Sequence, residues 1–496
     1  MQDSELNQVR IENQGSDTDS LQKSESGTPL GIYANKWEQT WESLLDKAFQ
    51  PETTFEKNPQ EFSILDLFSV IDRIRKPSRH VRWKISNYFT KSDWVLKRVR
   101  DCGKSLGLTE IWKDKKGSAR VGKVETCGSV HNCPICRVNI KAKRQKELKK
   151  INDGFTEERK KYSIEVIGTD ENGLFIMQDE KDLPGGNCSM ITFTVQHNYS
   201  DRMLALLGYV DSKSSRNTNK KNQGIIGALR RLRASKFWKQ FKETIAYVAD
   251  VRVLETTIGK SGFHVHIHML VFHKREIDHY EIKKKLFDQW SISSLASGLR
   301  QPDARYGVDI KNADKASDYL VKWGADSEIM SDSAKKAKNG NYTIPQFEKL
   351  LVDEESRIKS GYEIEQIERI LSEYQKAMFG KRLVQWSGNH KKLKEDYCQD
   401  YEENEKELAK LDYSEVKELQ ALVRSPLWNK WRWRGVLSVI RTIIETKGKP
   451  GLIEFVKRYY PSQLRELITS EEVLNRYCSR MADVLEKITK SKEKEE

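Results

Sequence analysis

The central third of the chain predicts an α+β fold with a central antiparallel sheet of split βαβ type, flanked by helices. Three observations lead there. Apolar, β-preferring segments and helical patterns follow one another as strand, helix, strand-strand, helix, strand. One segment alternates strictly between histidine and apolar residues, as a strand with one packed face does. A cysteine-bearing segment precedes this core, and a charged, helically patterned region follows it.

Taken in order, residues 1–31 are rich in Ser, Asp, Glu, Gln and Asn and poor in aromatics, which predicts a disordered tail. Residues 32–96 read as a helical lead-in, with Phe62, Leu65, Leu67, Phe68, Val70 and Ile71 near helical spacing. Residues 97–152 form the cysteine segment, and residues 153–326 the sheet domain. Within that domain Ile164–Gly168 and Leu174–Gln178 predict a hairpin, and Ser189–Val195 a buried strand. Ile225–Tyr247 carries a helical pattern, and strands follow at Val251–Thr257 and Phe263–Phe272. A helix at Ile277–Leu295, a short strand at Val308–Ile310 and a helix from Ala313 complete it. Residues 327–400 predict a helical extension, and residues 401–496 a helical C-terminal module. The patterns at Lys349–Phe379 and Tyr401–Val423 carry these two readings, and the chain closes on the charged run Lys487–Glu496.

Composition narrows the partners. The 496 residues carry a formal charge of +14, which favours an anionic partner, nucleic acid before an acidic membrane surface. No apolar run approaches the ~18 residues of a membrane span, and the N-terminus lacks a charged-then-apolar export pattern. Seven cysteines in such a chain, four of them clustered early, point to a reducing compartment and to metal rather than disulfides. A cytoplasmic protein is expected.

The sharpest local signal is Gly262-Phe263-His264-Val265-His266-Ile267-His268-Met269-Leu270-Val271-Phe272. On a strand, His264, His266 and His268 share one face while Val265 and Ile267 face the other. His264 and His268 would stand about 13 Å apart, so neighbouring imidazoles can share an ion but all three cannot. Gly259 and Gly262 bracket a turn. If Lys260 and Ser261 form a two-residue loop, Glu255 falls opposite His266, whereas a slip of one residue would send it to the other face. Imidazole and carboxylate together suit a divalent ion that polarises a phosphate, Mn²⁺ or Mg²⁺, with Zn²⁺ chemically possible.

Cys102, Cys127, Cys133 and Cys136 supply four thiolates, the last pair a C-x2-C knuckle, which suits tetrahedral structural zinc. His131 could replace one thiolate. The basic run Arg137–Lys150 suggests DNA contact or a solvated helix face. Further on, Lys315, Tyr319 and Lys322 fall on one face of the helix expected from Ala313, placing a phenol between two ammonium groups.

These pieces together resemble a known family. Met190-Ile191-Thr192-Phe193-Thr194-Val195, the His266-x-His268 strand and Tyr319-x-x-Lys322 look like the three ordered motifs of HUH-type replication initiators. Within that superfamily the chain is most similar to the rolling-circle plasmid initiators. Arg252–Thr257, Thr343–Leu351, Glu373–Ala377 and Gly380–Ser387 fit as well, so the resemblance covers roughly Cys102 to Ser387. It implies His266 and His268 as the metal pair, Tyr319 as a nucleophile that forms a 5′-phosphotyrosine bond, and Lys322 as its partner. His264 falls at a position the family varies. The implied partners are origin DNA (a single-stranded or hairpin nick site and a duplex binding site), a host helicase and a DNA polymerase. No G-x-x-x-x-G-K-[ST] sequence is present to supply a built-in helicase. Lys315 stands where some members carry a glutamate four residues before the tyrosine, so the termination step departs from that pattern. A transposase or mobilisation relaxase would use the same motifs on a different DNA end. A zinc-stabilised regulator would keep the fold and bind without cleaving.

Overall fold

A computed structural model of the chain describes residues 77–172, 174–208, 222–312, 341–398 and 417–492, with residues 77, 417 and 482–492 as backbone only. The described residues belong to one unit, Phe62–Glu496. The N-terminal tail and most of the lead-in lie outside them, as does the helix expected from Ala313 with Lys315, Tyr319 and Lys322.

The central antiparallel sheet has six strands in the described residues. Their order is β10 (Val384–Gly388), β6 (Tyr247–Gly259), β7 (Gly262–His273), β5 (Asn187–Thr194) and β8 (Val308–Asn312), and β9 (Tyr342–Thr343) also pairs with β6. The expected hairpin register is present: Gly259 pairs with Gly262 and Glu255 with His266. Gly262 has φ +86°, a left-handed conformation that glycine adopts without strain. Strands β3 (Val166–Thr169) and β4 (Phe175–Met177) form the separate hairpin read from the sequence.

The two faces of β7 explain where a site can exist. Val265, Ile267, Met269 and Val271 enter a large core with Phe193 of β5, Leu232 of α5 (Gly224–Ala234), Trp238 of α6 (Lys236–Thr244) and Trp290 of α7 (His279–Leu295). On the opposite face, Leu270 and Phe272 are covered by Leu148, Ile151 and Phe155 of α3 (Pro134–Arg159). The same face of β7 carries His264, His266 and His268, whose positions are only partly buried. One strand face is therefore half core and half site.

A second antiparallel sheet departs from the sequence reading. Its order is β12 (Leu467–Ile468), β11 (Lys417–Arg424), β1 (Ser105–Asp114) and β2 (Ala119–Val124). Residues 417–424 were expected to be helical, and the C-terminal region purely so; instead β11 pairs with β1 from Leu108↔Arg424 to Asp114↔Lys417. Lys-Glu-Leu-Gln-Ala-Leu-Val-Arg has good intrinsic helix formers, but five successive buried residues, Leu419–Val423, suit a strand covered on both sides. The cysteine segment and the C-terminal region thus share one sheet. Helices α1 (Pro77–Lys91), α2 (Lys97–Arg100), α11 (Ser425–Arg434) and α12 (Leu437–Tyr459) accompany it. Between strands of the central sheet in sequence lie α4 (Met203–Leu207), α8 (Ile344–Lys349), α9 (Glu354–Ser360) and α10 (Ile364–Met378).

Candidate metal centres

Three strands build the first site. His268 on β7 places Nε2 2.6 Å from Glu255 Oε2, and His266 places Nε2 3.4 Å from the same oxygen. Glu255 reaches them from β6 because it stands directly opposite His266. From β5, Thr192 stands opposite His268, with Oγ1 3.0 Å from Nδ1 of that ring. As the ring stands, Nε2 is within hydrogen-bond distance of the Glu255 carboxylate. With an ion between them, donation from Nδ1 to the Thr192 hydroxyl would leave the Nε2 lone pair free for it, the arrangement that metal-binding imidazoles use. Burial pushes the Glu255 carboxyl up, but the imidazoles of His266 and His268 outweigh it and hold the group well below its ordinary value. One donor atom from each of Glu255, His266 and His268 lies within 4.8 Å of the others, so these residues could hold one metal ion.

His264 is directed elsewhere. Its Nδ1 lies 2.6 Å from Nε2 of His197, whose Nδ1 is 3.0 Å from the carbonyl of Ser261. The His264 ring meets His266 edge-on at a centroid distance of 4.9 Å. Burial is the largest influence on both His197 and His264 and pushes each imidazole down, His264 to about 4. His197 and Thr192 were not singled out in the sequence. Extending the β5–β7 pairing past Thr194↔His266 would have brought the chain after β5 alongside His264.

The second site is a buried thiol cluster. Cys102 and Cys136 place sulfurs 3.6 Å apart, Cys127 and Cys136 3.7 Å, and Cys133 and Cys102 3.7 Å. A tetrahedral ion with ~2.3 Å bonds to sulfur sets its ligands about 3.8 Å apart, so the spacing fits zinc. The Cys133 sulfur also caps α3 by accepting from the backbone N–H of Cys136. Hydrogen bonds with Cys102, Cys127 and Cys133 hold the Cys136 thiol below its ordinary value. His131 is not in this donor group. It is buried, its Nε2 has no hydrogen-bond partner among the described residues, and burial pushes its pKa down to about 3.

The basic run after the cysteines is only partly surface. Arg137 is buried and donates two hydrogen bonds to Glu348, while Arg144 and Lys394 both pair with Glu147. Among the described residues no helix is long and apolar enough to cross a membrane.

The chain is 24% identical over 324 residues to a protein of Streptomyces lividans named "Protein rep". The match spans 55% of this chain and 64% of the relative, slightly less than two thirds of its length. No family model matches the chain, and no solved structure does. The likeness is distant, and it stands beside two side-chain clusters that could each hold a metal ion and a basic composition.

Proposed function

We propose that the chain is a rolling-circle plasmid replication initiator of the HUH type, which nicks and rejoins origin DNA through Tyr319. The observation that carries this reading is the donor set Glu255, His266 and His268 on adjoining antiparallel strands, with Thr192 orienting His268. The likeness to the Streptomyces lividans protein named rep supports it.

A divalent ion held by Glu255, His266 and His268, Mn²⁺ or Mg²⁺, would draw charge from a phosphate and make its phosphorus more electrophilic. The chain supplies the rest. Glu255 positions the two imidazoles, and Thr192 orients the His268 ring through Nδ1. The Tyr319 oxygen bonds to phosphorus, the bond from phosphorus to O3′ breaks, and the departing oxygen takes a proton to become a free 3′-OH. Attack by a 3′-OH on the phosphotyrosine reverses the step and rejoins the strand, so phosphodiester energy is conserved and no nucleotide is consumed. Lys322, three residues after Tyr319, favours the phenolate and offsets phosphate charge. The four-cysteine cluster acts structurally, holding zinc. The free 3′-OH primes a host polymerase, and strand separation falls to a host helicase.

Tyr319→Phe keeps the ring and removes the oxygen. The variant is expected to fold and bind origin DNA yet form no denaturant-resistant protein–DNA adduct on gels with a labelled origin strand. Adduct formation by Tyr319→Phe but not by Tyr306→Phe would assign the chemistry to Tyr306, whose side chain is exposed after α7.

A further inference from the structure

We infer that the outer face of α1 and α11 is a platform for single-stranded nucleic acid. Trp433 stacks an unpaired base there, and Lys84, Lys91 and Arg434 hold the adjoining phosphates. Helices α1, α2 and α11 carry ten Lys and Arg and not one Asp or Glu. Across the whole chain the balance is 87 to 73, so this segregation is local.

Several of these cations already have partners. Arg79 pairs with Glu445 at 2.6 Å, Arg100 with Asp93 at 2.7 Å and Lys97 with Asp101 at 2.5 Å. Arg432 is buried and donates to the Cys102 carbonyl, and Lys430 donates to Gln463. Lys84, Lys91 and Arg434 gather at one place. Asn87 Nδ2 donates to the carbonyls of Arg432 and Trp433 at 2.9 Å each, which docks α1 across the end of α11. Lys84 lies three residues before Asn87 and Lys91 four after it, on the same helix face. Both lysines are exposed, and Lys91 Nζ sits 5.7 Å from the Trp433 ring centroid. Arg434, also exposed, lies beside Trp433 with its guanidinium over Tyr460.

Trp433 distinguishes one polyanion from another. Trp428 and Trp431 of the same helix are buried, whereas Trp433 is 57% exposed among cations. A duplex hides its base faces and an anionic lipid surface has none, but an unpaired base offers a ring of matching size to an indole. Cations beside the stack hold the backbone. The surface belongs to the second sheet's helices and does not include the Glu255 site.

The test is fluorescence-anisotropy titration of a labelled oligo(dT) and of a duplex of equal length with the full chain at several salt concentrations. Trp433→Ala should weaken oligo(dT) binding about tenfold and Trp433→Phe much less, with little change for the duplex. Lys84→Glu with Lys91→Glu should weaken oligo(dT) binding and flatten its salt dependence by about 1.4 in log–log slope, near 0.7 for each phosphate no longer neutralised. All the altered side chains are exposed, so unchanged thermal unfolding should accompany the weaker binding. Unchanged oligo(dT) affinity in Trp433→Ala would overturn the platform. So would an equal weakening on duplex, or weaker binding to phosphatidylserine vesicles with oligo(dT) affinity intact. A wild-type chain that binds oligo(dT) through Trp433 but nicks no origin DNA would sink the proposed activity and leave this surface standing.

Discussion

Thr192 Oγ1 lies 3.0 Å from His268 Nδ1, across a strand pair in which the two residues stand directly opposite. The hydroxyl holds the ring so that Nε2 faces Glu255 at 2.6 Å. Thr192→Val keeps the shape and β-branching and removes that partner. Mn²⁺ affinity, read by titration calorimetry, should fall about 10- to 100-fold, the usual cost of losing such an orienting bond. Thr192→Ser should retain most of it. An unchanged affinity in the valine variant would show that the hydroxyl does not set the tautomer.

His266 and His264 share a strand face but have different partners. His266 reaches Glu255, whereas His264 reaches His197. His266→Ala or His268→Ala should nearly abolish origin nicking, and His264→Ala should cost much less. A chelator should reproduce the loss, and added Mn²⁺ should restore wild-type activity. Equal collapse of all three alanine variants, with folding intact by circular dichroism, would place His264 inside the metal set.

The cysteine cluster should contribute to stability rather than to the chemical step. Cys133 is both a member of the four-sulfur group and the cap of α3. Cys133→Ser should therefore lower the unfolding temperature by several degrees or more, on a scale of about 2–4 °C per kcal/mol for a domain of this kind. Elemental analysis of protein purified without chelator should find one tightly held zinc per chain. Finding none would remove the structural-zinc reading.

The sequence made the central sheet legible because its signals are local. Histidine alternation fixed which residues share a face, and two glycines three apart fixed the β6–β7 register that brings Glu255 to His266. The four cysteines announced themselves by type and spacing. The second sheet was hidden because β1 and β11 are more than 300 residues apart, and β11 is written in residues that favour helix when unpartnered. Thr192 and His197 were missed for a related reason. A threonine in a buried strand and a histidine after it acquire meaning only when β5 is laid beside β7.

The cysteine segment is tied to the rest of the fold through Arg137 and Glu348, and that tie yields the last prediction. Arg137 follows Cys136 directly and sits in the first turn of α3. Its guanidinium donates to Glu348 of α8 at 2.8 and 2.7 Å and to the carbonyl of His131 at 2.6 Å. Both side chains of the pair are almost fully buried, at 4% and 2% exposure. Burial pushes the guanidinium down, yet the charge and hydrogen bonds of Glu348 outweigh it and hold Arg137 above its ordinary value. A charge so enclosed depends on its partner. Glu348→Ala should destabilise the protein by about 3–5 kcal/mol in urea unfolding, because it strands the guanidinium away from water. Replacing both partners with similar-sized apolar residues, Arg137→Met with Glu348→Leu, should cost distinctly less, since no unpaired charge remains. Arg137 also grips the carbonyl of His131 between Cys127 and Cys133, so Glu348→Ala should release zinc to a chelator faster than wild type. A loss below about 1 kcal/mol in Glu348→Ala would mean that water reaches the pair, and the coupling of the cysteine segment to α8 would then have to rest on apolar packing alone.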